Sequence, residues 1–383
     1  MFKLPDYVIK VLNTFKQHGY EAYVVGGCVR NMLLNIPPHD YDITTNCFPE
    51  DMVKLFDKTV ETGVKYGTVT IIEDGIPIEV TTYRTDVCYT DHRKPDCVNF
   101  TRNLYDDLAR RDFTVNAMAY NQDRGLIDIF NGAESLKKNE LRAVGDPEKR
   151  FSEDALRILR CVRFASEYGF DIERQTLIGI EKTAHLLKFV SMERVFSELI
   201  KTLMGKYPQK IEILIQSGAL SFLGIEKINS PINLSNLSLN RELRFYMFCK
   251  LCGVDAQNLC ILLKGDNKLK KYCEELNSIE KDNLTFDKSD IKKMLSVYSP
   301  ECVCGYAEIR DKADICNKTV QQIKDNGEPY KIAHLNINGT DLLNLGFKNS
   351  EIGTVLNRLL DAVIEKPQKN NKKTLINLAK QIH

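Results

Sequence analysis

The sequence predicts an α+β protein, a mixed-sheet head followed by a long all-helical remainder. Two observations carry this. Up to about residue 140, short β-like runs alternate with helix-like ones between glycine and proline turns. From Glu153 onward, helical periods run almost without interruption: SEDALRILRCVRFASEYGF, SMERVFSELIKTLM, KIEILIQSGALSFLG and RELRFYMFCKLCG. A chain of 383 residues exceeds one compact core and implies about two to four units.

In order, EAYVVGG reads as a strand ending in a glycine turn, VRNMLLN as a short helix, and HDYDITTN as a second strand. PEDMVKLFD is an amphipathic helix opened by Pro49 with acids in its first turn. KYGTVTIIEDGIPIEVTTYR gives two strands joined at Asp74-Gly75, a hairpin signal. YRTDVCYTDHRKPDCVNF, residues 83–100, reads as a polar loop flanked by strand ends. The stretch EKPQKNNKKTLINLAKQIH is lysine-rich and closes on a short helix.

Bulk composition is that of a soluble protein, with 43% hydrophobic and 27% charged residues. The formal net charge of +1 advertises no polyanion partner for the whole molecule, though it is compatible with a basic face on one domain. Twelve cysteines and an N-terminal stretch (MFKLPDYVIK) unlike a signal peptide lead us to expect free thiols and a cytoplasmic location. No apolar run approaches the roughly 20 residues needed to span a bilayer. Cys249-x-x-Cys252 lies in an apolar helical pattern and Cys302-x-Cys304 has the wrong spacing for a zinc knuckle. Both read as buried small hydrophobes, with no zinc expected.

The chemistry concentrates in GGCVRNMLLNIPPHDYDITTN, residues 26–46. A strand running into Gly26-Gly27 and a helix presents unpaired backbone N–H groups, a seat for phosphate oxygens, and Arg30 can add a charge-assisted bond to them. On a strand, Asp40 and Asp42 project to one face, where two anions repel unless a cation lies between them. Paired carboxylates beside a phosphate seat suit Mg²⁺, which binds through one or two carboxylates plus substrate phosphates. Two such metals clamp the oxygens of an in-line displacement. Glu79, on the alternating strand IPIEVTT, is either a third carboxylate or a solvated strand residue. His39-Asp40 also spells the HD doublet of metal phosphohydrolases, but the other five histidines show no ligand spacing, and the doublet reads as accidental.

GG-x-VR, D-x-D, ARRDFTVNAMAY (109–120) and SEDALRILRCVRFA (152–165) stand in one order along the chain. Together they resemble the class II tRNA nucleotidyltransferase family, the CCA-adding enzymes and bacterial poly(A) polymerases of the DNA polymerase β superfamily. MERVFSEL (192–199) resembles the family's ER-x-x-x-E block, and HLNINGTDLLNLGF (334–347) a tail segment of the bacterial enzymes. Where the family usually has aspartate after GG-x-VR, this chain has Asn31, which keeps hydrogen bonding without charge. The resemblance implies a polymerase-β-like nucleotidyltransferase head (1–140), a helical neck (141–205), a helical body (206–285) and a helical tail (286–383). It also implies catalysis and metal binding by Asp40 and Asp42, and triphosphate binding by Gly27, Arg30 and Arg111. Asp112 would lie near the ribose. A helix-surface charge cluster is the alternative reading of Arg110-Arg111-Asp112.

In the helix expected over 153–165, Asp154, Arg157, Arg160 and Arg163 recur every three residues beside Leu156, Leu159 and Val162. Cytosine and adenine both present an exocyclic amino donor beside a ring-nitrogen acceptor. A carboxylate at Asp154 accepts from the first and a guanidinium at Arg157 donates to the second, whereas guanine and uracil present the reverse pattern. A site built this way rejects a mismatched partner by roughly 10⁴–10⁵. Arg160 and Arg163 would steady the base or the triphosphate.

The expected reaction is template-independent addition of CCA to tRNA from CTP and ATP with Mg²⁺. A poly(A) polymerase, or an enzyme adding only CC or only A, is the alternative from the same chemistry; a non-catalytic RNA-binding protein is the alternative from another class. Loop residues Asp91, His92, Arg93 and Lys94 resemble the family's flexible loop and disfavour a CC-only enzyme. By resemblance, the helical remainder holds the tRNA acceptor and TΨC arms. Lys264, Lys268, Lys270 and Lys271, and Lys369, Lys372 and Lys373, are candidate phosphate contacts or ordinary solvated faces.

Overall fold

In the computed structural model, residues 2–88, 97–282 and 284–382 are described. Helix α1 (Asp6–Gln17) leads into β1 (Ala22–Val25), α2 (Gly27–Leu33), β2 (Ile43–Thr45), α3 (Pro49–Leu55), β3 (Thr59–Gly63), β4 (Thr68–Glu73) and β5 (Ile76–Thr82). A two-stranded ribbon, β6 (Arg84–Cys88) with β7 (Cys97–Phe100), follows, then α4 (Leu104–Ala109), β8 (Ala119–Asn121), β9 (Gly125–Ile127) and α5 (Gly132–Lys137). One sheet takes seven of these strands in the order β3-β4-β5-β2-β1-β8-β9; β2 and β5 run parallel and the other neighbours antiparallel.

The head is α/β because β1 and β2 are buried throughout, and α1 packs on β1 and β4 with Val8, Val11, Leu12 and Phe15. The hairpin read at Asp74-Gly75 is present, both residues taking the positive φ (51° and 79°) that a tight two-residue turn requires. Strand β2 begins one residue after Asp42, later than the sequence reading placed it. Pro37 and Pro38 precede it and lack the N–H a ladder needs. The Asp42 carbonyl still accepts from Val25 N–H at 2.9 Å, so Asp42 is pinned beside the end of β1.

Beyond the head, β10 (Glu140–Leu141) pairs in parallel with β11 (Asp171–Ile172). Helices α6 (Pro147–Glu153), α7 (Leu156–Tyr168), α8 (Arg174–Thr183), α9 (Met192–Leu203), α10 (Glu212–Gln216) and α11 (Arg241–Cys252) continue the chain, α6 packing on α8 and α7 on α9. One helix expected over 153–165 is two. Asp154 is extended (φ −141°) because its Oδ1 accepts from Leu156 N–H at 3.1 Å, a local bond that competes with helix.

Residues 1–255 with 262–264 form one compact unit; residues 256–261 with 265–383 form another. The second is helical, with a core of Leu342, Leu359, Val363 and Leu375 and a capping box at Asn338 and Asp341. The cysteines whose side chains are described are free thiols, buried apart from the half-buried Cys304. Among the described residues no helix is long and apolar enough to cross a membrane.

Gly132 opens α5 against the short 3₁₀ turn Thr114–Asn116, and a Cβ there would meet the Thr114 carbonyl oxygen at 2.3 Å. We expect Gly132→Ala to destabilise the protein by about 2 kcal/mol, readable as a lowered urea midpoint.

Candidate active site at the end of strands β1 and β2

The chain leaves β1 through Gly26, whose φ of +80° favours glycine, and enters α2. A Cβ at Gly26 would lie 3.2 Å from Arg111 Nη1, and one at Gly27 would lie 3.5 Å from Arg30 Nη2. The structure therefore brings Gly26, Gly27, Arg30 and Arg111 together.

Arg111 is held by a residue the sequence reading missed. Asp107 on α4 is fully buried and accepts from Arg111 Nη2 at 3.1 Å, Arg110 Nε and Nη2 at 3.0 and 2.7 Å, and Thr44 Oγ1 at 3.2 Å. Burial alone would raise its carboxyl, but the two guanidinium groups outweigh burial and hold it below the usual range. Arg111 Nε is buried with no hydrogen-bond partner, so a donor of this cation is left over.

Across the sheet, β5 pairs with β2 so that Val80 lies opposite Ile43, which sets Glu79 beside Asp42. Asp42 is solvent-accessible on one side, yet surrounding atoms strip part of its hydration, and Asp40 and Glu79 repel its charge. Burial first, then Asp40 and Glu79, push its carboxyl up to about 6 against a lowering from Arg111. No three His, Cys, Asp or Glu side chains among the described residues are close enough to make a ready-formed metal-ligand set. What the structure does contain is mutual repulsion between these carboxylates, which a divalent cation would relieve.

The remaining expected residues are placed differently from the stripe read in the sequence. Arg30 is 6% exposed, and its donors are engaged: Nη1 to Asn116 Oδ1 at 2.6 Å, Nη2 to Tyr168 Oη at 2.7 Å, and Nε and Nη2 to Asn31 Oδ1 at 3.2 and 3.0 Å. Asp112, expected near the ribose, has both carboxylate oxygens occupied by protein donors. Oδ1 accepts from Phe113 N–H and Asn116 Nδ2, and Oδ2 accepts from Arg160 Nε at 2.9 Å and stands 2.7 Å from Arg160 Nη2 in the same ion pair. Burial opposes its charge, but Arg160 and Asn116 hold its carboxyl down at about 2.

Arg157 donates to Glu153 Oε2 at 2.8 Å, Arg150 O at 3.0 Å and Arg110 O at 3.1 Å, so it bridges α6, α7 and the head. Asp154, in the break between helices, accepts from Arg194 Nη2 of α9 at 3.0 Å. Arg163 Nε stands 2.8 Å from Glu198 Oε2, an ion pair whose alignment makes no hydrogen bond. Asp154, Arg157, Arg160 and Arg163 thus each have a protein partner. Glu153 is recoverable from its i, i+4 spacing to Arg157, and Asp107 from its i+3 and i+4 spacing to Arg110 and Arg111. Asn116 carries no such signal. Asp91, His92, Arg93 and Lys94 lie outside the described residues.

Residues 22–142 match the family model described as "Poly A polymerase head domain", and residues 169–226 match "Probable RNA and SrmB- binding site of polymerase A". The CCA-adding enzyme of Ligilactobacillus salivarius (strain UCC118) is 35% identical over 403 aligned residues, covering 98% of this chain and 96% of that protein. The chain belongs to the CCA-adding enzyme family. The CCA-adding enzyme of Limosilactobacillus fermentum (strain NBRC 3956 / LMG 18251) is 34% identical, covering 97% and 96%. Among solved structures, the Bacillus stearothermophilus CCA-adding enzyme in complex with CTP superposes with a TM-score of 0.84 at 29% identity, covering 99% and 98%. The fold is that of a polymerase-β-like head followed by helices, and the protein is a nucleotidyltransferase of this family.

The Asp42 carboxyl sets a pH dependence. Because its folded value lies above the unfolded one, the ionised group opposes folding above about pH 6, and the penalty disappears below the unfolded value. In metal-free buffer, Asp42→Asn should raise the melting temperature at pH 8, and the gain should vanish by about pH 4. Thermal melts of both proteins across that range check it.

Proposed function

We propose that this protein adds the 3′-terminal CCA of tRNA without a nucleic-acid template, using CTP and ATP and releasing pyrophosphate. The observation that carries the reading is the juxtaposition of a carboxylate cluster with a glycine-lined basic wall: Asp40, Asp42 and Glu79 on one side, Gly26, Gly27 and Arg111 on the other. Full-length similarity to CCA-adding enzymes supports it.

Asp40 and Asp42 would hold Mg²⁺, with Glu79 near enough to add charge; burial first, then Asp40 and Glu79, raise the Asp42 carboxyl, and a bound cation would offset both. Bound there, divalent metal supplies charge neutralisation and a lowered pKa for an attacking oxygen. The tRNA 3′-hydroxyl attacks the α-phosphorus of the nucleotide, a new phosphodiester forms, and the bond to pyrophosphate breaks. Arg111 uses its unpartnered Nε on the phosphates, held in place by Asp107. Arg30 adds positive potential from beneath Gly27, although its own donors are engaged.

Base choice is assigned to Asp154 and Arg157. Leu156 N–H and Arg194 occupy part of the Asp154 carboxylate and leave lone pairs for an exocyclic amino group. Arg157 makes three hydrogen bonds from five N–H groups, which leaves donors for a ring nitrogen. Arg160 and Arg163 keep this helix positioned through Asp112 and Glu198.

The helical neck (141–205), body (206–285) and tail (286–383) are assigned to the acceptor and TΨC arms, with the RNA-binding match over 169–226 in support. Lys264, Lys271 and Lys372 are ion-paired to Glu193, Glu275 and Asp341, so any phosphate contact there exchanges an exposed ion pair.

Purified protein, tRNA lacking its 3′ end and each nucleotide in turn test the reading. Incorporation of two C and then one A is expected; a long A tract would identify a poly(A) polymerase, and a halt after CC a partial enzyme. Replacing Asp40 and Asp42 by Ala should lower incorporation by about 10³-fold or more while tRNA affinity in a filter-binding assay is retained. Unchanged incorporation would remove the metal assignment.

A further inference from the structure

Asn116 lies in the 3₁₀ turn Thr114–Asn116, is 6% exposed, and touches neither the carboxylate cluster nor the Asp154–Arg157 pair by any hydrogen bond found. Its side chain nevertheless joins them. Asn116 Oδ1 accepts from Arg30 Nη1 at 2.6 Å, and Asn116 Nδ2 donates to Asp112 Oδ1 at 3.1 Å. Asp112 Oδ2 accepts from Arg160 in the second turn of α7, and Arg30 Nη2 donates to Tyr168 Oη in the last residue of α7. The bonds close a ring: α2 through Arg30, the turn through Asn116 and Asp112, and α7 at both Arg160 and Tyr168. Phe164 fills the ring, with the guanidinium carbons of Arg30 and Arg160 at 5.1 and 5.3 Å from its centroid.

We propose that Asn116 is a positioning residue that locks the base-reading helix α7 in register with the phosphate wall at Gly26–Gly27, and so sets nucleotide specificity. This rests on the nucleotidyl-transfer reading above. The chemistry of the position requires a carboxamide. On one side stands a guanidinium, which only donates; on the other stands a carboxylate, which only accepts. A single neutral group must accept from the first and donate to the second, and this also fixes which amide atom faces which neighbour. Aspartate would set a second carboxylate against Asp112; alanine would leave Arg30 Nη1 without its acceptor in a buried place and take from Asp112 Oδ1 one of its two donors, leaving only Phe113 N–H.

The consequence is geometric. A base held by Asp154 and Arg157 presents its α-phosphorus for in-line attack only if α7 stands at a fixed offset from α2 and β1. Loss of the amide frees that offset, and misplacement on the order of 1 Å costs on the order of 100-fold in rate. A cognate base depends on that register for its advantage; a mismatched base, already poorly held, has less to lose. Specificity therefore falls together with rate, which simple loss of folded protein does not produce.

Single-turnover extension of tRNA lacking its 3′ end, with CTP and UTP measured separately, tests this on the full chain. Asn116→Ala should reduce the CTP-to-UTP ratio of kcat/KM by about tenfold or more, with tRNA affinity unchanged. Asn116→Asp should do the same, and Tyr168→Phe, which removes the hydroxyl that accepts from Arg30 Nη2 and opens the ring at its other end, should lower the ratio by a smaller factor. A folded Asn116→Ala protein with the wild-type ratio, or one in which both nucleotides slow equally, overturns the proposal. Where Asn116→Ala does not fold, Tyr168→Phe decides: a lowered ratio supports the ring, and a folded variant with the wild-type ratio refutes it. Wild-type protein that adds no C would overturn the parent reading and this one with it; active wild type with an indifferent Asn116 sinks only the ring.

Discussion

A guanidinium taken out of water must find acceptors, and the junction between the head and α7 is organised by that requirement. Arg157, Arg160 and Arg163 rise along one helix, and each meets a carboxylate from a different element: Glu153 of α6, Asp112 of the head and Glu198 of α9. Asp154 reverses the polarity and takes Arg194 of α9. Removing one member of such a set leaves an uncompensated buried charge, a loss of about 3–5 kcal/mol for a fully buried pair and less where water reaches it. Net stabilisation is small when both members are present, so the pairs act chiefly on geometry. They specify where α7 stands.

The other half of the site breaks the same rule. Asp40, Asp42 and Glu79 are brought near one another with Arg111 as the one cation among the causes that shift Asp42, and that guanidinium is shared with buried Asp107. A fold selected for stability alone would separate or neutralise these carboxylates. The strands prevent separation: β2 lies between β1 and β5, and the parallel register of β2 with β5 fixes Glu79 alongside Asp42. Repulsion held in place by a sheet would be relieved by a cation bound between these side chains, which is the arrangement the proposed function draws on. The arginine pairs and the carboxylate cluster are complementary parts. One supplies rigidity at no net charge, the other a net charge on a rigid support.

Much of this was legible in the sequence where the signal is local. The Gly26-Gly27 turn, the Asp74-Gly75 hairpin, α3 behind Pro49 and the long helical remainder follow from short-range chemistry. The D-x-D spacing is read as part of a strand, whereas β2 starts after Asp42 and both aspartates lie in the segment before it. Local reading failed where a side chain serves its own backbone or a distant element. Asp154 was counted into a helix, yet it breaks that helix by accepting from Leu156 N–H. Charge points Arg30 toward phosphate and the family resemblance points Asp112 toward the ribose, while in the structure their hydrogen bonds run to residues 86, 138 and 48 positions away. Asn116, an uncharged residue in a run of apolar ones, gains meaning only when the fold brings Arg30 and Asp112 to its two sides.

Asn31 shows how a single uncharged atom alters this balance. Its Oδ1 accepts from Arg30 Nε and Nη2 and from Tyr168 Oη at 3.3 Å, a position where the family usually carries a carboxylate. With aspartate, Arg30 would be neutralised by an adjacent anion and its field at the Gly27 turn largely cancelled. With asparagine the same bonds form, but every oxygen bonded to Arg30 is neutral: Asn31, Asn116 and Tyr168. The rings of Phe164 and Tyr168, whose centroids lie 5.1 and 4.5 Å from the Arg30 guanidinium carbon, stabilise the cation without discharging it. Arg30 therefore keeps its unit of positive charge beneath the glycine turn, where the triphosphate is assigned. The amide keeps the hydrogen bonds that hold the turn, and it leaves the guanidinium beside Gly27 without an adjacent anion.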